Sequence, residues 1–414
     1  MKNRWLIALS AIAIHLSIGS VYAYSVFKNP LGEMWGWSST QVTVSFTIAI
    51  FFLGMSAATM GRFVEKWGPR KSATIAAIFF SIGTAGTGIA VKLGSLPFYY
   101  LTYGVLGGIG LGIGYIAPVS TLVKWFPDKR GLATGMAVMG FGAGSIITSP
   151  VATKLMSIFG ISTTFFILGA SFLVLMLLGA SYIERPPADY QPKSMKTAKE
   201  KRAKKAKQAD LAQLTVGEAV RTPRFWLLWL MMFINISAGI MLISVASPIA
   251  QDKVGMTVAA AATVVAIMGF FNGLGRIAWS SFSDYIGREN IFLIFFGVQM
   301  ILFFLLPNVT NPVVFQIFMY IIVSMYGGGF SCLPAFLGDI FGTKQLGAIH
   351  GCVLTAWSFA GICGPMIVSS ILDATSSYDL TFYVFTVLLI IAFITSLIMK
   401  WNIRQVRLKA LKAE

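Results

Sequence analysis

One arginine stands apart from the rest of the 32 lysines and arginines in this 414-residue chain. Arg276 lies within VAAAATVVAIMGFFNGLGRIAWSS (258–281), inside a longer apolar run. A charge at bilayer depth costs about 2.5–3.5 kcal/mol on insertion scales, so such residues are kept for a function. Asn272 precedes it by four positions and shares its helical face. Guanidinium offers a planar fork of donors that matches a carboxylate in two contacts. Asn272 can orient that fork, or donate to a hydroxyl or carbonyl on the same ligand. The alternative is that Arg276 pairs with a carboxylate of the chain itself. No Asp or Glu lies in the core of an apolar run, and Glu184, Asp284 and Asp339 fall at edges. The pattern therefore points to an anion from outside the chain.

Other candidates are less distinctive. His15 sits ten residues into the first apolar run, and an intramembrane histidine can relay protons or be a hydrogen-bonded structural residue. His350 lies near the end of its run and reads as structural. Tyr115 in IGYIAP and Tyr326 in SMYGGG are mid-run, and Tyr22 and Tyr24 in the first run and Asn235 in the seventh are weaker candidates. Each is either a ligand contact or a packed side chain. The sequence shows no metal-ligand cluster, nucleophile pair or Gly-Lys-Ser/Thr phosphate loop, so an enzyme is not expected and no cofactor is implied.

The elements that must position these residues are membrane helices. The chain is 56% hydrophobic and 11% charged, against about 25% charged for a soluble protein. Apolar runs of helix-spanning length recur from end to end, unlike the short alternating strands of a β-barrel. Twelve spans are expected, at 5–27, 39–60, 72–92, 97–122, 132–157, 162–183, 225–249, 258–281, 290–306, 312–338, 346–371 and 380–400. With both termini inside, 27 of the 32 basic residues face the cytoplasm, four (Lys28, Lys92, Lys154, Lys253) face out, and Arg276 remains. That asymmetry follows the positive-inside rule and accounts for the net charge of +17 without nucleic acid. The first run lacks a small-residue cleavage site and reads as a span. Cys332, Cys352 and Cys363 lie in apolar runs and suggest no disulfide framework.

The layout is a repeat: a six-helix bundle over 1–183, a basic linker over 184–224, and a second bundle with a basic tail over 225–414. The linker stretch KSMKTAKEKRAKKAKQ (193–208) reads as a solvated topology signal or a contact for anionic headgroups. LTVGEAVRTPRFW (214–226) is expected as a short amphipathic helix at the membrane face. GRFVEKWGPRK (61–71) after span 2 matches SFSDYIGRE (281–289) after span 8, each with an acidic residue three places before a glycine. KWFPDKRGLATG (124–135) likewise matches DIFGTKQLGAIHG (339–351). Repeated halves of this kind build transporters. Glycines at four-residue spacing in span 4 (Gly104, Gly108, Gly112) and span 5 (Gly131, Gly135) predict close helix contacts. Pro150 and Pro365 predict bends in spans 5 and 11.

GRFVEKWGPRK resembles the loop signature of the major facilitator superfamily, with Glu65 where Asp is more usual. WFPDKRGLATG, RTPRFWLLW and the spacing from Arg276 to SDYIGR resemble its oxalate/formate antiporter group, related to monocarboxylate transporters. The resemblance covers essentially the whole chain. It implies an all-α fold of twelve helices in two pseudo-symmetric six-helix bundles, with spans 1, 4, 7 and 10 around a cavity. Tyr22, Tyr115 and Tyr326 would then face substrate. It also implies a cytoplasmic gate drawn from Arg62, Glu65, Arg70, Asp284 and Arg288. Two departures narrow the substrate. A second deep cation of the oxalate transporter, a span 11 lysine, is Trp357 here. The Asp and span 1 Lys of animal monocarboxylate transporters are Asn272 and no lysine. One cation balances one carboxylate, so a monocarboxylate such as lactate, pyruvate, formate or acetate is expected rather than oxalate. Its proton would pass through His15 or enter on the carboxylate. The expected protein is a monomeric carrier in a prokaryotic inner membrane; carboxylate exchange and a membrane sensor are the alternatives.

Overall fold

The computed structural model describes residues 2–187, 190–192 and 211–413. The basic stretch 193–208, with the lipid contact considered for it, lies outside the described residues. Among those described, ten helices are long and apolar enough to cross a membrane. One of them, Arg130–Tyr182, runs 53 residues and divides at Gly160, whose φ is 76°. Val258–Ile286 adds a further 29-residue helix. The result is twelve spans: Arg4–Tyr24, Gln41–Trp67, Pro69–Leu93, Leu96–Trp125, 130–159, 161–182, Pro223–Asp252, Val258–Ile286, Arg288–Asn308, Pro312–Phe341, Leu346–Thr375 and Asp379–Leu408. Large apolar side chains such as Leu93, Val174, Leu178, Val387 and Ile394 stand exposed on the outer faces, as a lipid-facing surface requires.

Several helices outrun their apolar windows at the face that carries the basic loops. Span 2 continues to Trp67 and span 8 to Ile286. Their charged ends stand at the membrane edge, where helix hydrogen bonds still form although hydropathy has fallen. What stops them is glycine: Gly68 has φ 84° and Gly287 φ 92°, and each also begins the next helix. Side chains rarely adopt that conformation. The matching loop motifs thus make the same turn in each half.

Segment 214–226 is not one amphipathic helix. Thr215 and Glu218 form a reciprocal capping box around the four-residue helix Val216–Ala219, and Pro223 then starts span 7. The Thr215 amide and hydroxyl hold the Glu218 carboxyl below its usual range. Upstream, Leu211 and Leu214 donate to the carbonyls of Asp339 and Phe341 at 3.0 and 2.9 Å. The end of the linker is thereby strapped across the turn between spans 10 and 11. The backbone stays helical through Pro150 and Pro365; the interruptions are at Gly160 and at Leu354, between Leu346–Val353 and Thr355–Thr375.

The glycine stripes mark two different contacts. A Cβ on Gly108 or Gly112 would lie 2.7 or 2.2 Å from a carbonyl oxygen of span 2, so these glycines pack the first six spans together. Gly131 and Gly135 of span 5 instead face span 8, in the other half, at 2.0 Å from the Ser280 carbonyl and 2.1 Å from its hydroxyl. Spans 2 and 11 repeat this contact: a Cβ on Gly351 would lie 1.9 Å from the Ala57 carbonyl. Towards the opposite face the spacing grows. Gly142 would meet nothing nearer than 3.4 Å, and Gly269 and Gly273 nothing within 4 Å. The halves are therefore closed at the basic face and diverge away from it along spans 5 and 8.

Candidate functional site

Arg276 reaches from span 8 across to the first six spans and is fully buried. Its Nε donates to Asn272 Oδ1 at 3.2 Å, and its Nη1 donates to the Val138 carbonyl of span 5 at 3.3 Å. Nη2 makes no hydrogen bond with the protein. No carboxylate pairs with Arg276 among the described residues. Span 10 comes close enough to cover it only because residue 327 is glycine: a Cβ there would sit 2.5 Å from Asn272 Oδ1 and 3.2 Å from Arg276 Cγ. The Phe330 ring lies 5.4 Å from the guanidinium carbon, in cation–π range.

Around this cation stands a set of aromatic side chains drawn from both halves. Span 1 changes from α-helix to a 3-10 segment over Gly19–Tyr24, the kind of local tightening that often accompanies a functional hinge. That segment presents Tyr22, whose buried hydroxyl faces the Arg276 guanidinium and the Tyr326 hydroxyl. Tyr115 of span 4 is fully buried, and its hydroxyl is likewise unpaired. Tyr326 of span 10 lies against Gly239 of span 7, where a Cβ would come within 2.1 Å of its ring. Trp357 of span 11 packs 4.4 Å from Phe330 and 5.7 Å from Tyr115, ring centre to ring centre. Phe141 of span 5 closes the set, 5.1 Å from Tyr22 and 5.5 Å from Tyr115.

His15 stacks on Tyr115 at 5.1 Å, and its Nε2 meets the Tyr115 carbonyl at 3.1 Å. His350 is also part of this centre: its ring lies 5.7 Å from that of Tyr115, and neither ring nitrogen has a partner. A hydropathy window places it at a helix end; the packing of the halves brings it inward. Phe141 and Phe330 could not be singled out among 33 phenylalanines. Asn235 points elsewhere, its Oδ1 accepting from Gln299 Nε2 of span 9 at 3.1 Å.

In chemical terms the centre offers one permanent cation with spare donors, tyrosine hydroxyls near it and apolar ring faces as walls. That combination fits a small anion with a short apolar body, the guanidinium fork meeting its carboxylate. Unpaired buried polar groups cost free energy unless a ligand or water satisfies them.

At the basic face, Glu65 accepts from the Gly347 amide of span 11 at 2.8 Å and pairs with Lys124 at 2.9 Å. Arg185 pairs with its carboxylate more loosely and donates to its carbonyl. Asp284 accepts from the amides of Gly131 and Leu132, at 3.0 and 3.1 Å, and pairs with Arg288. Arg288 and Arg130 both reach Asp339, at 3.4 and 2.9 Å. Arg62 and Arg70 are exposed and enter no ion pair among the described residues. Glu65 and Asp284 thus tie one half to the other by carboxylate-to-amide bonds at helix starts, where the backbone amides have no intrahelical partner.

The profile of the Major Facilitator Superfamily matches residues 10–335 and 228–412. The oxalate:formate antiporter of Oxalobacter formigenes is 29% identical over 367 residues, 88% of this chain and 84% of that protein. An uncharacterized MFS-type transporter of Escherichia coli (strain K12), YhjX, is 29% identical over 363 residues, 87% of each chain. The crystal structure of the MFS transporter FucP in the outward conformation superimposes with a TM-score of 0.72 at 13% identity, covering 95% of this chain and 98% of that one. Twelve apolar helices, repeated loop turns and a family profile spanning nearly the whole sequence lead to one conclusion: the chain belongs to the Major Facilitator Superfamily of multi-pass membrane transporters.

Proposed function

We propose that this protein is a secondary active transporter of a small monocarboxylate of lactate or pyruvate type, taken up together with a proton by alternating access. The observation that carries the reading is Arg276: a buried guanidinium between the halves, with no carboxylate partner and an unused Nη2 among the described residues. Asn272 holds the fork, and Tyr22, Tyr115 and Tyr326 supply hydroxyls and ring faces to the substrate. Trp357 stands where a second cation would be needed for a dianion. The units are 1–183 and 225–414, joined by 184–224, with both termini and the basic face in the cytoplasm of a prokaryotic inner membrane. His15, beside Tyr115, is a candidate for the coupled proton. The name of the oxalate:formate antiporter favours a second reading, carboxylate exchange. Counterflow in proteoliposomes separates the two: exchange that runs without any net uptake under a pH gradient removes symport.

The test of substrate class is a thermal-shift panel on purified protein. Lactate or pyruvate should raise the melting temperature more than oxalate does, and equal stabilisation would remove the argument from Trp357. The variant Trp357→Lys should shift preference towards oxalate by about tenfold or more, an effect of about 1.4 kcal/mol.

The contacts made by Glu65, Asp284 and Arg288 serve in this reading as the cytoplasmic seal of an outward-facing state. Asp284→Asn should weaken the two amide bonds and the Arg288 pair, by about 1–3 kcal/mol. The inward-open population then rises by about 5–150-fold. Alkylation of Cys352, in a background with Cys332→Ser and Cys363→Ser, measures that population. An unchanged rate would take Asp284 out of the seal.

A further inference from the structure

The structure assigns the coupled proton to His350: we infer that this residue, facing Tyr115 and His15 across the contact between the halves, is the site that takes up and releases it. The inference rests on the carboxylate symport reading above and deepens it.

The first observation is an imidazole that is fully buried with both nitrogens unpaired. A structural histidine normally fixes its tautomer through at least one hydrogen bond. His15 does so, through the Tyr115 carbonyl; His350 does not. It is therefore free to gain and lose a proton without breaking a bond to the protein.

The second observation is position. His350 is next to Gly351, where a Cβ would meet the Ala57 carbonyl of span 2, and three residues after Gly347, whose amide Glu65 holds. Gly61 of span 2 packs on Ala348 in the same stretch. All of these contacts join one half to the other and must part when the basic face opens. Water from that side then reaches His350 directly. While they hold, the imidazole is closed off from the basic face and adjoins Tyr115, His15 and, beyond them, Arg276.

The fixed charge of Arg276 acts on His15 and is not among the groups acting on His350. His15 lies in electrostatic range of Arg276, so a proton there would sit beside an existing cation. Of the elements packed against the start of span 11, span 2 brings Arg62 and Glu65, span 4 Tyr115 and Lys124, the short helix Val216–Ala219 brings Glu218, span 7 Arg224 and span 10 Asp339. Their charged groups lie at the basic end; the Tyr115 ring is the one in ring contact with the imidazole, and His15 acts on it electrostatically.

The cycle balances simply. With the outer side open, a carboxylate binds Arg276 and removes its excess positive charge. A hydrated proton from outside then forms an N–H bond on His350. When the basic face opens, that bond breaks to cytoplasmic water as the carboxylate leaves. One proton and one anion cross, and no other reactant is needed.

The experiment uses full-length protein in proteoliposomes with labelled lactate, measured against protein-free vesicles. Two assays are run, accumulation driven by an acid exterior and counterflow without a gradient, on wild type, His350→Gln, His350→Asn and His15→Gln. The wild type should accumulate lactate by about tenfold per pH unit of gradient. Both His350 variants, monodisperse in detergent, should lose that accumulation and keep counterflow within about threefold of wild type, whereas His15→Gln keeps gradient drive. Gradient-driven accumulation by His350→Gln overturns the inference. So does loss of counterflow in both folded His350 variants, which would mark a substrate-positioning role, and so does loss of drive in His15→Gln alone. Wild-type counterflow with no gradient drive, or no lactate transport at all, instead removes the symport reading on which the inference stands.

Discussion

Replacing Arg276 by alanine or lysine is expected to abolish carboxylate uptake in proteoliposomes while leaving the protein folded. The wild-type guanidinium spends one donor group on Asn272 and one on Val138, and Nη2 is unspent. Alanine removes every charge-assisted bond to the substrate. At about 1.5–3 kcal/mol for each of two such bonds, the loss is about 3–6 kcal/mol, or roughly 10²–10⁴-fold in apparent affinity. Lysine keeps the charge but not the fork. It cannot hold Asn272 and grip a carboxylate in two contacts at once. The fold should survive because Arg276 makes no salt bridge whose loss would strand a buried carboxylate, the usual source of large destabilisation. Two measurements check this: labelled lactate uptake, and thermal unfolding with and without lactate. The variants should unfold within a few degrees of wild type and show no ligand-induced shift. Normal lactate uptake by Arg276→Ala would remove the central claim.

The second large effect belongs to two glycines far from any ligand. Gly351→Val and Gly131→Val should each stop transport by propping the basic face open. A Cβ at these positions would lie 1.9 Å from the Ala57 carbonyl and 2.0 Å from the Ser280 carbonyl. Both obstacles are backbone on the opposite half, so no rotamer change relieves the clash; the halves must separate. Overpacking of this kind costs about 1–3 kcal/mol, charged here to the closed state alone. The shift in population is about 5–150-fold. Alkylation of Cys352 should accelerate by a comparable factor in Gly131→Val, and net uptake should fall below about a tenth of wild type. Gly269→Ala and Gly273→Ala are the controls. On span 8, beyond the closed contact, their new methyl groups meet nothing within 4 Å. They should transport normally, with a slight gain from helix propensity. Equal damage at all four positions would show that glycine is needed for helix packing in general rather than for closing one face.

These two predictions draw on different levels of the molecule. Arg276 was legible from sequence because the cost of burying a charge does not depend on tertiary detail: any lysine or arginine inside a membrane run demands an explanation. Its link to Asn272 was legible too, since residues four apart on a helix are neighbours whatever the fold. The turns at Gly68 and Gly287 could be paired by their motifs, and the backbone makes the same positive-φ turn at both. In contrast, the partners of Glu65 are Lys124, Arg185 and the Gly347 amide, from three other parts of the chain. The family resemblance implied Arg62 and Arg70, which are exposed. Backbone amides carry no sequence signature, so a carboxylate that caps one across an interface cannot be anticipated by counting charges.

The glycine stripes show the same limit. Their spacing predicted close approach, and close approach is found. Spacing could not say that the span 4 stripe packs within one half while the span 5 stripe forms a contact between halves. His350 was undervalued for a related reason. Hydropathy measures depth along one helix, whereas the position of a side chain in a two-bundle protein depends on which helices close over it.

The sequence by itself determined the helical membrane class, the twelve spans, the repeat and the presence of one unexplained cation, because each follows from local hydropathy, charge asymmetry or i, i+4 neighbourhood. Only the tertiary structure decided that Arg276 has no carboxylate partner among the described residues, that aromatic rings from both halves surround it, and that the halves are shut on the basic side. Those properties depend on contacts between residues a hundred or more positions apart, and no local pattern encodes them.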